Sequence, residues 1–475
     1  MLHKLRIIVD LLFTFSSSVA FRERARVPAA SFADSSVPTW NISNTPDGNL
    51  ARMGMNVNQG PGSFLQRIAG RVSIVLRDRQ LFMAVMIVGV AIRFILAFVE
   101  PPSFDLQNIG LVIFHPSAFS GGPWAFIEAQ LVKVWLQHVA VSSPNDWGYT
   151  PPFNTPQDLM ILTLMMRLPA FIFDIATLLP IYYATLWLSS SKTSSRLAAM
   201  LWIANPYTVF AIELLGVPDI AATFLALCAC LLLVRGRPVL AGLSLFAGVA
   251  LKLFPIMLLP ALLIEKSASS KSKYYLAIAG LIGLGAYLAW AFPPVGGALM
   301  NYTPLTQPIN ILFEYALGSG SRISAAASVL IVLYFATWWF AKNRPLITGV
   351  VPPLFLVYYA LSDPYPSYFL WVVPFLVIDI AAHRKHSILF LGLLTFLMGS
   401  WLFLSHAFST PSGYSLLLIP LRGTNVPWYS QLIYSALLVD ERIRVLIYPF
   451  LAAGLYATSV IYALEFMRGW FSSEG

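Results

Sequence analysis

The chain has 475 residues, of which 58% are hydrophobic and only 11% charged, whereas a soluble domain runs near 45–50% apolar and about 25% charged. That balance excludes a cytosolic enzyme, a disordered scaffold, a disulfide-stapled secreted domain and a coiled coil, and it leaves a polytopic membrane protein. The net charge of +9 is spread in ones and twos between apolar runs and makes no basic stripe, so no nucleic-acid partner is expected.

Residues 1–60 read as a separate extension. Lys4 and Arg6 precede a short apolar run, Ile7 to Phe15, which resembles a weak signal or an extra anchor. The Ser-, Asn- and Pro-rich stretch that follows reads as disordered, and an upstream mis-assigned start, with Met53 or Met55 as the alternative, explains it equally well. The remainder, 61–475, is expected to be one transmembrane domain.

A span needs about 20 mostly apolar residues. Qualifying or nearly qualifying runs lie near 81–99, 167–188, 196–213, 217–234, 275–292, 323–341, 345–361, 367–381, 387–405 and 443–466. Cys228 and Cys230 fall inside one of these runs at i, i+2, face different directions on a helix, and read as small packing residues. The stretch 238–264 is either one kinked helix or a hairpin of two short helices of about 14 and 12 residues, with Lys252 near its tip and Pro255 and Pro260 beyond it.

Charge placement favours the hairpin, which brings the total to about twelve segments. It gathers sixteen cations, among them Arg77, Arg79, Lys192, Arg235, Lys271 and Lys385, on one side. The other side keeps six: Lys133, Arg167, Arg322, Arg422, Arg442 and Arg444. The richer side is expected in the cytoplasm. The loops at 100–166, 293–322 and 406–442 then lie outside and are long. The first carries an amphipathic stretch, Trp124 to Val139, suited to lying on the outer interface.

Ionisable groups at membrane depth are functional candidates by default, and here they are Arg93, Asp174, Glu213, Asp219 and Lys252. Asp174 reads equally as a helix-locking partner of Arg93 or Arg167. Glu213 and Asp219 fall near the outer ends of their helices, where solvent is expected to reach them. Lys252 follows 14 apolar residues, and a functional role is favoured over snorkelling to the surface. His115 and His138 read as interfacial. Glu100 and Asp105 lie just outside the first span in Phe98-Val-Glu-Pro-Pro-Ser-Phe-Asp-Leu-Gln, held near the membrane by two prolines.

The segment Leu201-Trp-Ile-Ala-Asn-Pro-Tyr-Thr, followed by Gly216-Val-Pro-Asp-Ile-Ala, resembles the Trp-x-x-Asn-Pro and later Gly-Asn-x-Asp pattern of the multi-spanning GT-C glycosyltransferases. It is closest to the GPI mannosyltransferase I type and to the family 87 polyprenol-phosphate mannosyltransferases. The segment Ala241 to Pro255 looks like their Gly-rich helix ending in Lys-x-x-Pro. Tyr365-Pro-Ser-Tyr-Phe-Leu-Trp-Val-Val-Pro-Phe is similar to their Gln-Tyr-x-x-Trp-x-x-Pro segment. The three occur in the same order over roughly residues 80–385. The chain departs from the pattern in a lone Asp105, with Glu100 in place of a paired acidic motif, in Leu215-Gly216-Val217-Pro218 before Asp219, and in Ser367 for Gln. These departures leave the sugar and the acceptor open.

The resemblance implies an all-α, GT-C-like transmembrane bundle in the cell membrane or endoplasmic reticulum membrane, with an extracytoplasmic site. It implies transfer of a hexose, mannose being the expected one, from a polyprenyl- or dolichyl-phosphate donor to a glycan or glycolipid acceptor. No metal or cofactor is implied, and a small membrane subunit is a possible partner. Asp105 is the expected base, and Lys252 the expected cation for the donor phosphate. Asp219, Glu100, Tyr368 and Trp371 complete the expected donor and acceptor contacts. A lipid-linked glycan flippase and a non-catalytic transferase subunit are the competing readings.

Overall fold

The computed structural model describes residues 78–99, 156–214, 216–217, 219–265, 269–291, 314–316, 322–340, 345–361, 366–383, 386–408 and 441–471. Glu100, Asp105, His115, His138, the Trp124–Val139 stretch and the 1–60 extension lie outside the described residues. From Gln80 onward the described residues belong to one compact unit.

That unit is helical. In chain order the helices are α1 (Arg79–Val99), α2 (Pro156–Ser189), α3 (Lys192–Ile203), α4 (Asp219–Val234), α5 (Pro238–Leu251), α6 (Leu259–Ile264), α7 (Ser270–Ala291), α8 (Ala325–Phe340), α9 (Val351–Leu361), α10 (Val373–His383), α11 (Ser387–Phe408) and α12 (Glu441–Phe471). A small antiparallel ribbon, β1 (Glu314–Ala316) with β2 (Arg322–Ser324), precedes α8. Two of the helices are long and apolar enough to cross a membrane, over Arg79–Ala97 and Arg167–Ser189. Among the described residues a bundle of twelve such spans is not seen; the runs at 217–234, 238–264, 345–361 and 367–381 fold as shorter apolar helices of 10–17 residues.

Three local differences have physical causes. The expected run 196–213 breaks after Ile203, where Asn205 leaves helical geometry and its side chain accepts the Tyr207 N–H at 3.0 Å. Pro206 then occupies the first position of a new turn, as an N-cap followed by proline dictates. That turn runs into a π-helical segment, Val209–Leu214. Residues 156–166, expected in the outer loop, instead form the first turns of α2. The runs at 345–361 and 367–381 open with a π turn (Leu346–Val350) and a 3-10 helix (Pro366–Trp371) respectively.

The 238–264 stretch breaks at Lys252, which is extended (φ −153°, ψ 141°) and ends α5. A 3-10 turn, Phe254–Leu258, and α6 follow. The close approaches fix the direction of the return. Gly242 faces Tyr275 and Ala279 of α7, and Gly283 faces Phe246 and Val249. Rising numbers therefore meet rising numbers, so α5 and α7 are parallel and the segment between them doubles back.

Small residues let these backbones touch. A Cβ at position 283 would sit 2.9 Å from the Phe246 carbonyl oxygen, whereas one at Gly285 would meet nothing within 4 Å. Gly283→Ala is therefore expected to lower stability by about 1–3 kcal/mol, as overpacking against backbone does, and Gly285→Ala to leave it unchanged. Thermal unfolding of the two purified variants checks this, and equal midpoints would refute the contact.

The core is built around α10, whose Phe375, Leu376, Val377 and Ile378 are fully buried against α2 and α3. The outer helices expose large apolar side chains instead: Ile87 on α1, Leu179 on α2, Leu281 on α7, Phe335 and Trp339 on α8, and Phe450 on α12 are all more than 60% exposed. A water-soluble surface rarely exposes so many large apolar side chains.

Candidate functional site

Two polar clusters occupy the interior. The first is assembled by helix ends. α4 and α5 form an antiparallel pair joined at Gly236, whose φ of +69° closes α4 with Arg237 N–H donating to Leu232 O and Gly236 N–H to Leu233 O. This pairing brings Asp219, in the first turn of α4, against Lys252, which caps the last turn of α5. Both charges suit their helix ends, a carboxylate at an N-terminus and an ammonium at a C-terminus.

The Lys252 ammonium donates to Asp219 Oδ2 at 2.7 Å, and the Trp371 indole N–H donates to Asp219 Oδ1 at 2.6 Å. The carboxylate is buried, while the Lys252 side chain is one third exposed. Trp371 is clamped on both faces, by Phe254 at 4.0 Å and Tyr368 at 4.6 Å between ring centroids. Tyr368 and Trp371 share a face because a 3-10 helix stacks residues i and i+3. The ammonium lies 5.5 Å from the centre of the Tyr368 ring, within cation–π range, and the Tyr359 hydroxyl donates to the Tyr368 carbonyl at 2.5 Å. Tyr207, from the Asn-Pro-Tyr turn, neighbours Asp219 and the Leu370 backbone.

The structure thus joins four of the sequence-derived site residues, Lys252, Asp219, Tyr368 and Trp371, in one cluster. Of these, Lys252 keeps one third of its side chain exposed. Asp219 is buried, so solvent does not reach it as expected; its neighbours are Lys252 and Trp371. The ring of Trp371 is covered on both sides, so it holds the cluster together and offers no face to a sugar. Phe254 had no sequence signal beyond lying two residues after Lys252.

The second cluster centres on Arg93, which is fully buried. Nη1 donates to Asp174 Oδ2 at 2.6 Å and to Glu213 at 3.1 Å, Nη2 to the Trp202 carbonyl and the Thr208 hydroxyl, both at 2.7 Å, and Nε to the Ile203 carbonyl at 3.0 Å. All five N–H donors of the guanidinium are used. Asp174 also accepts the Trp202 indole N–H at 2.9 Å, so of its two expected partners it takes Arg93. Arg167 instead donates to the Ala97 carbonyl in the last turn of α1. Glu213, expected near solvent, is buried.

The Trp-x-x-Asn-Pro-x-Thr spacing thereby acquires a physical meaning. Trp202, Ile203 and Thr208 supply acceptors to Arg93, Trp202 ties down Asp174, and Asn205 makes the break that turns these groups inward. A third group was missed by sequence reading. At the far end of α10, Asp379 joins His383 Nδ1 at 2.9 Å and His386 Nδ1 at 3.1 Å; the i, i+4 spacing of Asp379 and His383 was its one available signal. Among the described residues, no group of three or more His, Cys, Asp or Glu side chains is arranged to hold a metal ion. Compared with known proteins, the chain matches no protein-family model and no curated protein.

Proposed function

We propose that the chain is a multi-pass membrane glycosyltransferase of the GT-C type, which moves a hexose from a polyprenyl-phosphate donor to a glycan or glycolipid acceptor at the extracytoplasmic face. The observation that carries this reading is the Lys252 cluster: one partly exposed cation, set on an aromatic floor and fixed by a buried carboxylate at the meeting point of three chain segments. Such a cation suits a lipid phosphate, because it stabilises the oxygen that gains charge as the sugar leaves.

In the transfer the C1–O bond to phosphate breaks and its electron pair stays on the phosphate oxygen. The acceptor oxygen forms the new bond to C1, and its proton passes to Asp105 as base. Mannose is the sugar proposed. The large apolar side chains exposed on five of the helices support immersion in lipid.

The cation asymmetry supports an inner side at 189–195, 235–237, 265–274 and 342–344 and an outer side at 100–155, 293–322 and 406–442. With Arg235 and Arg237 at the inner surface, the 14 residues of α5 raise Lys252 by about 21 Å through a hydrocarbon layer of about 30 Å. Arg93 stands at a similar height above Arg79, so both polar clusters share one layer in the outer half of the membrane. Ser270→Cys is expected to react with membrane-impermeant thiol reagents from the cytoplasmic side alone; labelling from outside intact cells would overturn this orientation.

The function is tested with membranes given radiolabelled polyprenyl-phosphate mannose and, separately, the glucose analogue. Lys252→Ala is expected to weaken donor use by about 30- to 1,000-fold, the loss of a charge-assisted contact worth about 2–4 kcal/mol, at equal protein abundance. Unchanged donor dependence in this variant would refute the role of Lys252.

A further inference from the structure

The Lys252 ammonium does not meet a ligand as a bare cation. Asp219 holds it at 2.7 Å through one oxygen, and the other oxygen is fixed by Trp371 at 2.6 Å. Trp371 in turn is immobilised between Phe254 and Tyr368. Asp219 therefore cannot swing away when a ligand arrives, and the fixed pair carries no net charge. Whatever binds Lys252 does so a few ångströms from the Asp219 carboxylate.

We infer that Asp219 sets the charge this seat accepts, admitting the singly charged phosphodiester and rejecting the doubly charged phosphomonoester. The inference rests on the reading of Lys252 as the phosphate ligand. The proposed donor carries one negative charge on its bridging phosphate. Its product, the lipid monophosphate, carries about −1.5 to −2 at pH 7, with a second ionisation near pH 6. The first negative charge takes the near, ammonium side of the pair; a second gains less there, because it is no longer in contact with the ammonium, and it meets the Asp219 carboxylate at short range in a medium of low dielectric. Even at an effective dielectric constant near 20, one extra like-charge contact at about 5 Å outweighs a tenfold change in affinity. Asp219 thus acts as a specificity-determining and product-expelling residue and makes no bond to the sugar. The same charge rule disfavours pyrophosphate-linked sugars.

The test is equilibrium binding to the purified full chain in nanodiscs. The probes are a short-chain polyprenyl monophosphate and its methyl ester, a diester of fixed single charge, at pH 5.5 and 7.5. The hydroxyls of Tyr207, Tyr359 and Tyr368 are titratable neighbours of the pair, and tyrosine does not titrate in this interval. In the wild type the methyl ester is expected to bind equally at both pH values, and the monophosphate roughly tenfold more weakly at pH 7.5 than at pH 5.5. Asp219→Asn, whose Oδ1 can still accept the indole N–H, should abolish or invert that difference, and Asp219→Glu should keep it.

A wild type that binds the monophosphate equally at both pH values overturns the inference, as does an Asn variant with the wild-type profile. Binding of neither lipid overturns the phosphate reading of Lys252 itself. The wild-type pH comparison stands even where a variant fails to fold.

Discussion

Replacement of Arg93 by methionine is expected to leave almost no folded protein in the membrane. The substitution preserves an apolar stem but removes five donors at once, stranding Asp174 and Glu213 as buried carboxyls and taking a donor from each of the Trp202 and Ile203 carbonyls. Breaking one partner of a buried ion pair costs about 3–5 kcal/mol, against a total stability of about 5–15 kcal/mol for a typical protein. Arg93→Lys is expected to fail as well, since an ammonium with three donors does not reproduce the planar fork that serves all five acceptor groups. Adding Asp174→Asn and Glu213→Gln to Arg93→Met should recover part of the loss by removing the stranded charges. Size-exclusion profiles of tagged protein, with thermal midpoints where protein accumulates, measure all three. A monodisperse Arg93→Met protein at wild-type abundance would show that the cluster does not hold the bundle together.

The largest effect on activity is expected at Asp105. Under the proposed function a base must take the proton of the acceptor hydroxyl as the new bond forms, and an amide cannot. Asp105→Asn is expected to reduce transfer by about 100-fold or more, the usual scale for removing a positioned base, with little change in shape. Glu100→Gln should do less, because under the same proposal Glu100, next to Pro101 and Pro102 in the sequence, has the role of orienting the loop. The measurement is transfer of labelled sugar at equal protein abundance. Near wild-type transfer by Asp105→Asn with a defective Glu100→Gln would exchange their roles. Activity in both would exclude this type of glycosyltransferase and leave a flippase or a non-catalytic subunit.

Some of this protein follows from the order of its residues alone. Composition demands apolar surroundings, and apolar runs of about 20 residues with few charges demand helices there, since the backbone must satisfy its own hydrogen bonds; both are local properties of a chain. The break at Lys252 was legible because fourteen apolar residues end in a lysine followed by Pro255. So was the common face of Tyr368 and Trp371, three residues apart, once that segment is helical.

The identity of partners was hardly legible: Arg93 was named for Asp174 only as one of two alternatives, and the other pairs were not foreseen. Lys252 meets Asp219 across 33 positions, Arg93 meets Asp174 across 81 and Glu213 across 120, and Trp371 meets Asp219 across 152. No period in the sequence encodes such distances. They are set by which helix ends pack together, and that packing also buries Glu213 and Asp219, which looked solvent-facing from their places near helix ends. The Asn205 break was equally hidden inside an apolar run, because hydropathy registers oil and water but not where a side chain competes with the backbone for its hydrogen bonds. Sequence thus determined which groups had to be exceptional in so apolar a chain. Only the tertiary structure decided which of them pair with one another, and that Lys252, though paired with Asp219, keeps a third of its side chain exposed.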